Sequence, residues 1–267
     1  MYWHEATETL LKTLVEQPRL GLITDMDGTI SPIVPVPDAA QVTPYSRAML
    51  QALQPHLALV AVVSGRAVAD VRQRVGLPDL VYAGNHGLER WADNQVVPVL
   101  EATQFRPALE ASLAAITPHL LPGMRLEDKG VTLSIHYRQT TDPQAAATVF
   151  RPLLEATAAQ HGLKLFQGRM VFELRPPLHI HKGTILRQFV TEYRLSAAVY
   201  LGDDTTDVDA LQMARELREQ NACYALGVGV ESDGVPTAVL ETADLLAAGV
   251  PGIEAFLSWL VNASRAS

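Results

Sequence analysis

A chain of 267 residues, 48% hydrophobic and 19% charged, holds enough material for one large globular domain or two smaller ones. A net charge of −8 without any Lys/Arg run argues against nucleic acid or an acidic membrane as partner. Cys223 is the only cysteine, which excludes an internal disulfide; no stretch reaches the roughly 18 apolar residues of a membrane span, and a start containing Glu5, Glu8 and Glu16 is no signal peptide. The expected protein is cytoplasmic and monomeric.

Residues 3–17 carry Leu10, Leu11, Leu14 and Val15 at helical spacing and predict an amphipathic helix packed on the core. Leu20–Thr24 is a short apolar strand that stops abruptly at Asp25-Met26-Asp27-Gly28-Thr29-Ile30. The prolines at 32, 35 and 37 forbid a helix and favour an extended loop beside that point. Thr43 followed by Pro44 marks a helix start, with the helix running to about Gln54 before Pro55. A second buried strand over 57–63 ends in Ser64-Gly65-Arg66 and feeds a helix over 67–75. A third, over 80–83, ends in Gly84-Asn85-His86-Gly87-Leu88-Glu89. Apolar strands alternating with helices predict an α/β fold with a doubly wound parallel sheet.

The pattern changes after residue 102. Helices over 105–120 and 143–160 are each followed by a strand pair, 124–127 with 131–138 and 164–166 with 170–174. Val131, Leu133, Ile135 and Tyr137 alternate with Thr132, Ser134, His136 and Arg138, so this strand is apolar on one face only. The αββαββ unit, 103–179, reads as an α+β domain inserted into a core made of 1–102 and 180–267. Beyond it the alternation resumes: a helix over 182–193, then an apolar strand over 197–201. That strand ends in Gly202-Asp203-Asp204-Thr205-Thr206-Asp207, followed by a helix to about 220, strands over 223–228 and 245–246, and a last helix over 251–261.

On a strand, residues i and i+2 point the same way, so Asp25 and Asp27 are expected to face one spot at the carboxyl end of a central strand. Open α/β sheets bind ligands there. Two acids so close repel unless a cation or a shared proton intervenes, and an all-oxygen site suits Mg²⁺. One aspartate can attack phosphorus while its neighbour moves the proton of the leaving oxygen. The Ser64 hydroxyl is placed to hold a phosphoryl oxygen, and Lys182 to neutralise a carboxylate nucleophile and the group it receives. Asp203, Asp204 and Asp207 offer further metal ligands. Each signal alone has a plainer reading: a helix cap for the serine, a solvated lysine, acids that favour a helix dipole. The dipole explains one acid of the three and leaves the others unexplained.

Acid pair, serine, lysine and acid cluster, in that order, resemble the four motifs of the haloacid dehalogenase-like phosphatases. The insertion between Ser64 and Lys182 stands where that superfamily carries a cap of the second type. Ser31-Pro32-Ile33-Val34-Pro35, Tyr82 to Glu89, Glu127-Asp128-Lys129, Ser134 to Arg138, Phe172 to Pro176 and Gly202 to Asp207 are similar to signature segments of the trehalose-6-phosphate phosphatases. The likeness runs over about 22–209. Val208 departs from it, where the family commonly carries Glu.

The resemblance implies a Mg²⁺-dependent phosphatase that releases trehalose from its 6-phosphate through an aspartyl-phosphate. It gives Asp25 the roles of nucleophile and metal ligand. Asp27 moves the proton and binds metal through its backbone carbonyl; Asp203 is the other carboxylate ligand, with Asp204 and Asp207 as inner or outer support. Ser64 and Lys182 hold the phosphoryl group. Arg66, Asn85 and His86 line the entrance, and Glu127, Lys129, His136, Arg138 and Glu173 bind sugar hydroxyls. Rival readings are a phosphatase of the same fold acting on sucrose phosphate or a glycosyl-glycerate phosphate, and a catalytically silent sugar-phosphate sensor.

Overall fold

The computed structural model describes residues 1–34, 36–168 and 170–266 and gathers the chain into two compact units, Met1–Val96 with Ile180–Ser267 and Val97–His179. The first unit begins with α1 (Leu10–Val15), β1 (Leu20–Thr24), α2 (Pro44–Leu53), β2 (Leu59–Val63), α3 (Val68–Val75), β3 (Val81–Gly84) and β4 (Glu89–Ala92), whose hairpin partner β5 (Gln95–Pro98) spans the boundary at Val96. The second holds α4 (Leu100–Thr103), α5 (Arg106–Ile116), β6 (Arg125–Asp128), β7 (Leu133–His136), α6 (Pro143–His161), β8 (Lys164–Gly168) and β9 (Val171–Arg175). The first is completed by α7 (Lys182–Glu192), β10 (Ala197–Gly202), α8 (Val208–Glu219), β11 (Tyr224–Glu231), α9 (Thr237–Thr242), β12 (Leu245–Ala248) and α10 (Gly249–Ala266).

The large sheet has the order β12-β11-β10-β1-β2-β3-β4-β5. β12 to β3 run parallel, and β4 turns back antiparallel to β3. Strands β1, β2 and β10 are buried at every position, as strands covered on both faces must be. Their side chains divide by parity. Leu20, Leu22, Val60 and Val62 pack with residues of α1, α2, α3 and α10, while Ile23, Leu59, Ala61 and Val63 pack with residues of α7, α8 and α9. Each such side chain, fully buried, contributes about 1.5–3 kcal/mol, which fixes the register. The register aligns the carboxyl ends: Thr24 lies beside Leu201 and Val62. This is the doubly wound α/β core expected from the sequence.

The second unit is an antiparallel sheet of order β6-β7-β9-β8 with its own apolar core, in which Leu133, Ile135, Phe172 and Leu174 meet Leu109, Ile116, Phe150 and Leu154 of α5 and α6. This is the αββαββ arrangement.

Local departures have local causes. The helix expected over 3–17 is a 3-10 turn, Trp3–Ala6, followed by α1. Thr9 leaves helical geometry (φ −126°, ψ −101°) because the segment before it is held elsewhere. Trp3 packs on Phe256 and Trp259, and Tyr2 forms a parallel bridge with Leu246 of β12. The hairpin β4–β5 and helix α9 are not predicted from the sequence; the hairpin turns on Asp93 and Asn94, both left-handed at φ 50° and 61°. In the loop after β1, a 3-10 turn spans Pro37–Ala39, while Pro35 lies outside the described residues. Among the described residues, no helix is long and apolar enough to cross a membrane.

Candidate active site

β1 ends at Thr24 because the next residues leave the apolar pattern, and the Asp25 amide makes one last ladder-like bond to Leu201 O (2.8 Å). Met26 O then accepts from the amides of Thr29, Ile30 and Ser31, which curls the chain. Gly28 allows this curl with φ +85°, and a Cβ there would stand 1.9 Å from Asp203 Oδ2. The tight turn thus brings the acid loop after β10 against the loop after β1. Thr29 Oγ1 donates to Asp203 Oδ1 at 3.1 Å.

Lys182 opens α7 and is buried with its ammonium between two acids, 2.9 Å from Asp25 Oδ1 and 2.7 Å from Asp207 Oδ1. Asp207 is saturated. Its Oδ1 accepts from Lys182 Nζ and Tyr200 Oη (2.6 Å), and its Oδ2 from the amides of Asp203 (3.2 Å) and Asp204 (2.9 Å). Asp207 therefore holds the lysine and the acid loop in place. Tyr200 and Thr29 are partners that sequence spacing gave no reason to single out.

Asp25, Asp203 and Asp207 offer carboxylate oxygens within 4.8 Å of one another, all three buried. Burial, and then repulsion from Asp207, pushes Asp203 up to about 7. Burial also raises Asp25 well above the usual carboxylate range, although Lys182 pulls the other way. Lys182 itself is raised: burial opposes its charge, and Asp207 and Asp25 more than reverse that. Three acids beside one ammonium leave an excess of buried negative charge, and with Asp207 taken up by its four hydrogen bonds the hard oxygen donors left for a ligand are those of Asp25 and Asp203. That donor set fits a hard divalent cation.

The same excess has a measurable consequence. The folded-state pKa values of Asp25 and Asp203 lie above their unfolded values, so the folded state binds more protons in between. Stability must then fall as pH rises from about 4 through about 7. The cation-free protein is expected to melt lower at pH 8 than at pH 5, by a stability difference on the order of a few kcal/mol. Asp203→Asn should flatten that slope, and an unchanged slope would contradict the charge excess.

β1 stops at Thr24, before both Asp25 and Asp27, so strand alternation is not what orients the two acids. The Asp27 carboxylate is gripped by Arg66, Nε to Oδ2 at 2.6 Å and Nη2 to Oδ1 at 2.9 Å. Burial opposes the Arg66 charge, but the Asp27 hydrogen bond and charge, with Asp70, outweigh it and raise its pKa. The group gathered within 4.8 Å thus contains neither Asp27 nor Asp204.

Ser64 is buried just after β2, its Oγ accepting from Arg66 N at 3.2 Å. Asn85 and His86 are buried in a left-handed turn (φ 48° and 59°) that backs Ser64, His86 N donating to Ser64 O at 2.9 Å. Such backbone costs of order 1–3 kcal/mol per residue and persists where the surroundings over-determine it. Glu89 is one of those surroundings: it is buried and its Oε1 caps the Val68 amide of α3 at 2.6 Å.

In the second unit, alternation places the polar residues opposite the apolar core. Glu127 lies across from Ser134 and Ser134 from Glu173, on the face away from Leu133 and Phe172. Glu173 is nearly enclosed. Its Oε1 accepts from Lys129 Nζ (3.1 Å) and Ser134 Oγ (3.0 Å), and its Oε2 from Arg175 Nε (2.7 Å). His136 Nε2 meets Glu127 Oε2 at 2.8 Å, and that hydrogen bond, against burial, lowers the Glu127 pKa. Arg138 follows β7, half-buried. Ser134, which the alternation already set opposite the apolar positions, and Arg175 add hydrogen bonds here beyond the five residues expected to bind sugar, Glu127, Lys129, His136, Arg138 and Glu173.

The trehalose-phosphatase family model matches residues 23–236. A trehalose-phosphate phosphatase of Mycobacterium marinum is 38% identical over 201 residues, covering 72% of this chain and 51% of that protein. One of Mycobacterium tuberculosis is 36% identical over 197 residues, covering 71% and 50%. The chain therefore spans about half the length of the curated relatives it matches. Among solved structures, the C-terminal domain of Candida albicans trehalose-6-phosphate phosphatase aligns with TM-score 0.78 at 21% identity, covering 95% of this chain and 96% of that one. A trehalose-6-phosphate phosphatase related protein aligns with TM-score 0.72 at 21% identity, covering 91% and 97%. These structures share the fold, while the family match runs from the loop that carries Asp25 past the loop that carries Asp203 and Asp207. The chain belongs to the trehalose-phosphatase family.

Proposed function

We propose that this chain hydrolyses trehalose 6-phosphate to trehalose and phosphate. The observation that carries the reading is the buried contact of Lys182 with Asp25 and Asp207 beside Asp203, at the carboxyl ends of β1 and β10. In it, an Asp25 oxygen attacks phosphorus and the bond from phosphorus to the sugar oxygen breaks. Asp27 supplies the proton the sugar oxygen needs, then takes one from the water that cleaves the aspartyl-phosphate. Lys182 and Ser64 hold the phosphoryl oxygens, with Lys182 fixed by Asp207 and Tyr200. Asp25, Asp203 and the Asp27 carbonyl would hold Mg²⁺, with Asp204 in support. Bound Mg²⁺ would supply positive charge against the phosphoryl oxygens and the excess of acids.

The second unit serves in this reading as a cap that selects the substrate. A disaccharide offers hydroxyls to charged partners, and the polar face of its sheet carries Glu127, Lys129, His136 and Glu173. Arg138 joins them, and in the first unit Arg66, Asn85 and His86 would line the entrance to the acid cluster.

Phosphate release over a panel of sugar phosphates tests the reading. Trehalose 6-phosphate should be cleaved best with Mg²⁺ and not at all after exhaustive chelation. Lys129→Ala and Glu173→Ala should lose roughly ten- to a hundred-fold on it, the value of a hydrogen bond to a charged group. The same variants should lose less on a small aryl phosphate, which leaves the sugar pocket empty. A better substrate elsewhere in the panel, or equal losses on both phosphates, would overturn the assignment to trehalose.

A further inference from the structure

We infer that Arg66, Asp70 and Arg74 form a relay that orients the Asp27 carboxylate and ties it to the loop following β1. The inference rests on the proton-transfer role proposed for Asp27. Arg66 meets both oxygens of Asp27 with two donors of its fork, which fixes the plane of the carboxylate as well as its position. The remaining arm of the guanidinium, Nη1, donates to Asp70 Oδ2 at 3.1 Å. Arg66 lies in the turn just before α3, and Asp70 and Arg74, one turn apart, share a face of that helix. Arg74 Nε is 2.8 Å from both Asp70 oxygens.

The far end is anchored on backbone. Arg74 Nη1 donates to Asp38 O at 2.9 Å and Ala40 O at 2.6 Å, and Arg47 Nη2 of α2 donates to Arg74 O at 3.0 Å. The chain of contacts therefore runs from Asp27, through α3, back to the segment that follows Asp27 in sequence. Side-chain exposures of 17% for Arg66 and 15% for Arg74 set the two arginines apart from those of a solvated charge ladder, while Asp27 and Asp70, at 28% and 35%, keep one edge in water.

A solvated pair holds no fixed geometry. This one restricts rotation of a group that must present one oxygen to a leaving sugar. Arg66 and its two helix partners are thus positioning residues, and Arg66 acts on the substrate through Asp27.

Asp70→Asn removes the middle charge without touching Asp27, and Arg66→Lys keeps the charge but loses the fork. On a sugar phosphate, Asp70→Asn should lower kcat roughly tenfold, a part of the 10²–10⁴ that placed proton transfer contributes. KM should stay within about twofold, and Arg66→Lys should lose more. On p-nitrophenyl phosphate, whose leaving group needs little protonation, both losses should be smaller. A raised KM on both substrates would mean that Arg66 holds the phosphate itself; equal kcat losses on both would mean a structural role; either overturns the relay. A readout independent of turnover is the ¹⁵N-detected Arg66 Nε–H, expected to exchange slowly in the parent. It should broaden or vanish in Asp70→Asn and in Asp27→Asn. An unchanged signal in Asp70→Asn overturns the relay whatever the substrate. A changed signal in a protein without sugar phosphatase activity would sink the proposed function and leave the relay standing.

Discussion

Asp25→Asn is expected to abolish turnover and leave the protein folded, with a melting point in cation-free buffer near neutral pH no lower than that of the parent. An amide is not a competent nucleophile, and loss of an attacking group elsewhere costs on the order of 10⁶ in rate. The stability side follows from the site. Asp25 is one of three acids facing Lys182, and burial with repulsion from Asp207 and Asp203 already raises its pKa. The isosteric amide removes one of the repelling charges and can still offer its oxygen to Lys182, while Lys182 keeps Asp207 as counter-ion. Phosphate release and a thermal melt on the same preparation check both halves. Turnover by a folded Asp25→Asn protein would refute the covalent route.

Lys182→Met should give the second largest effect, on stability as well as rate. The side chain is 2% exposed and its ammonium contacts Asp25 and Asp207. Its loss leaves buried acids without that partner, a situation that costs about 3–5 kcal/mol. For a chain of this size that corresponds to a fall in melting temperature of roughly 10 °C. A divalent cation should restore part of it, because it offsets the same acids. Turnover should drop by at least about 10²–10³, the scale for losing one charge aimed at a reacting oxyanion. A melting temperature unchanged from the parent would mean that the ammonium and the acids are not paired in the folded protein.

The fold of the first unit and the place of its acid cluster were legible in the sequence for one physical reason. Buried parallel strands must be apolar throughout, so the first polar residues after each run mark the ligand side of the sheet. Asp25, Ser64 and Asp203 are found this way, and Lys182 follows from its place at the head of α7. What pairs with what was less legible. The strand ended at Thr24, so alternation does not orient Asp25 and Asp27, and the Arg66 grip on Asp27 had no signal in the spacing. Tyr200 reads as one more apolar strand residue, yet its hydroxyl fills the last acceptor place on Asp207. The hairpin β4–β5 was missed because Glu89-Arg90-Trp91-Ala92 lacks alternation. The helix expected over 3–17 was broken by contacts with α10 and β12, which no local pattern encodes.

The bridge between Tyr2 and Leu246 also bears on self-association. An open sheet has two margins, each a row of amides and carbonyls on which another copy could add a strand. At the β12 margin, the chain's own beginning lies alongside, and Leu246 N donates to Met1 O at 3.0 Å. At the β5 margin, the strand is four residues long and ends in Pro98, which has no amide hydrogen to offer. Removing residues 1–6 would therefore uncover a parallel edge made of two leucines and two alanines, half of them buried. The loss would appear first as aggregation at high protein concentration, with the chemistry of the distant acid cluster untouched.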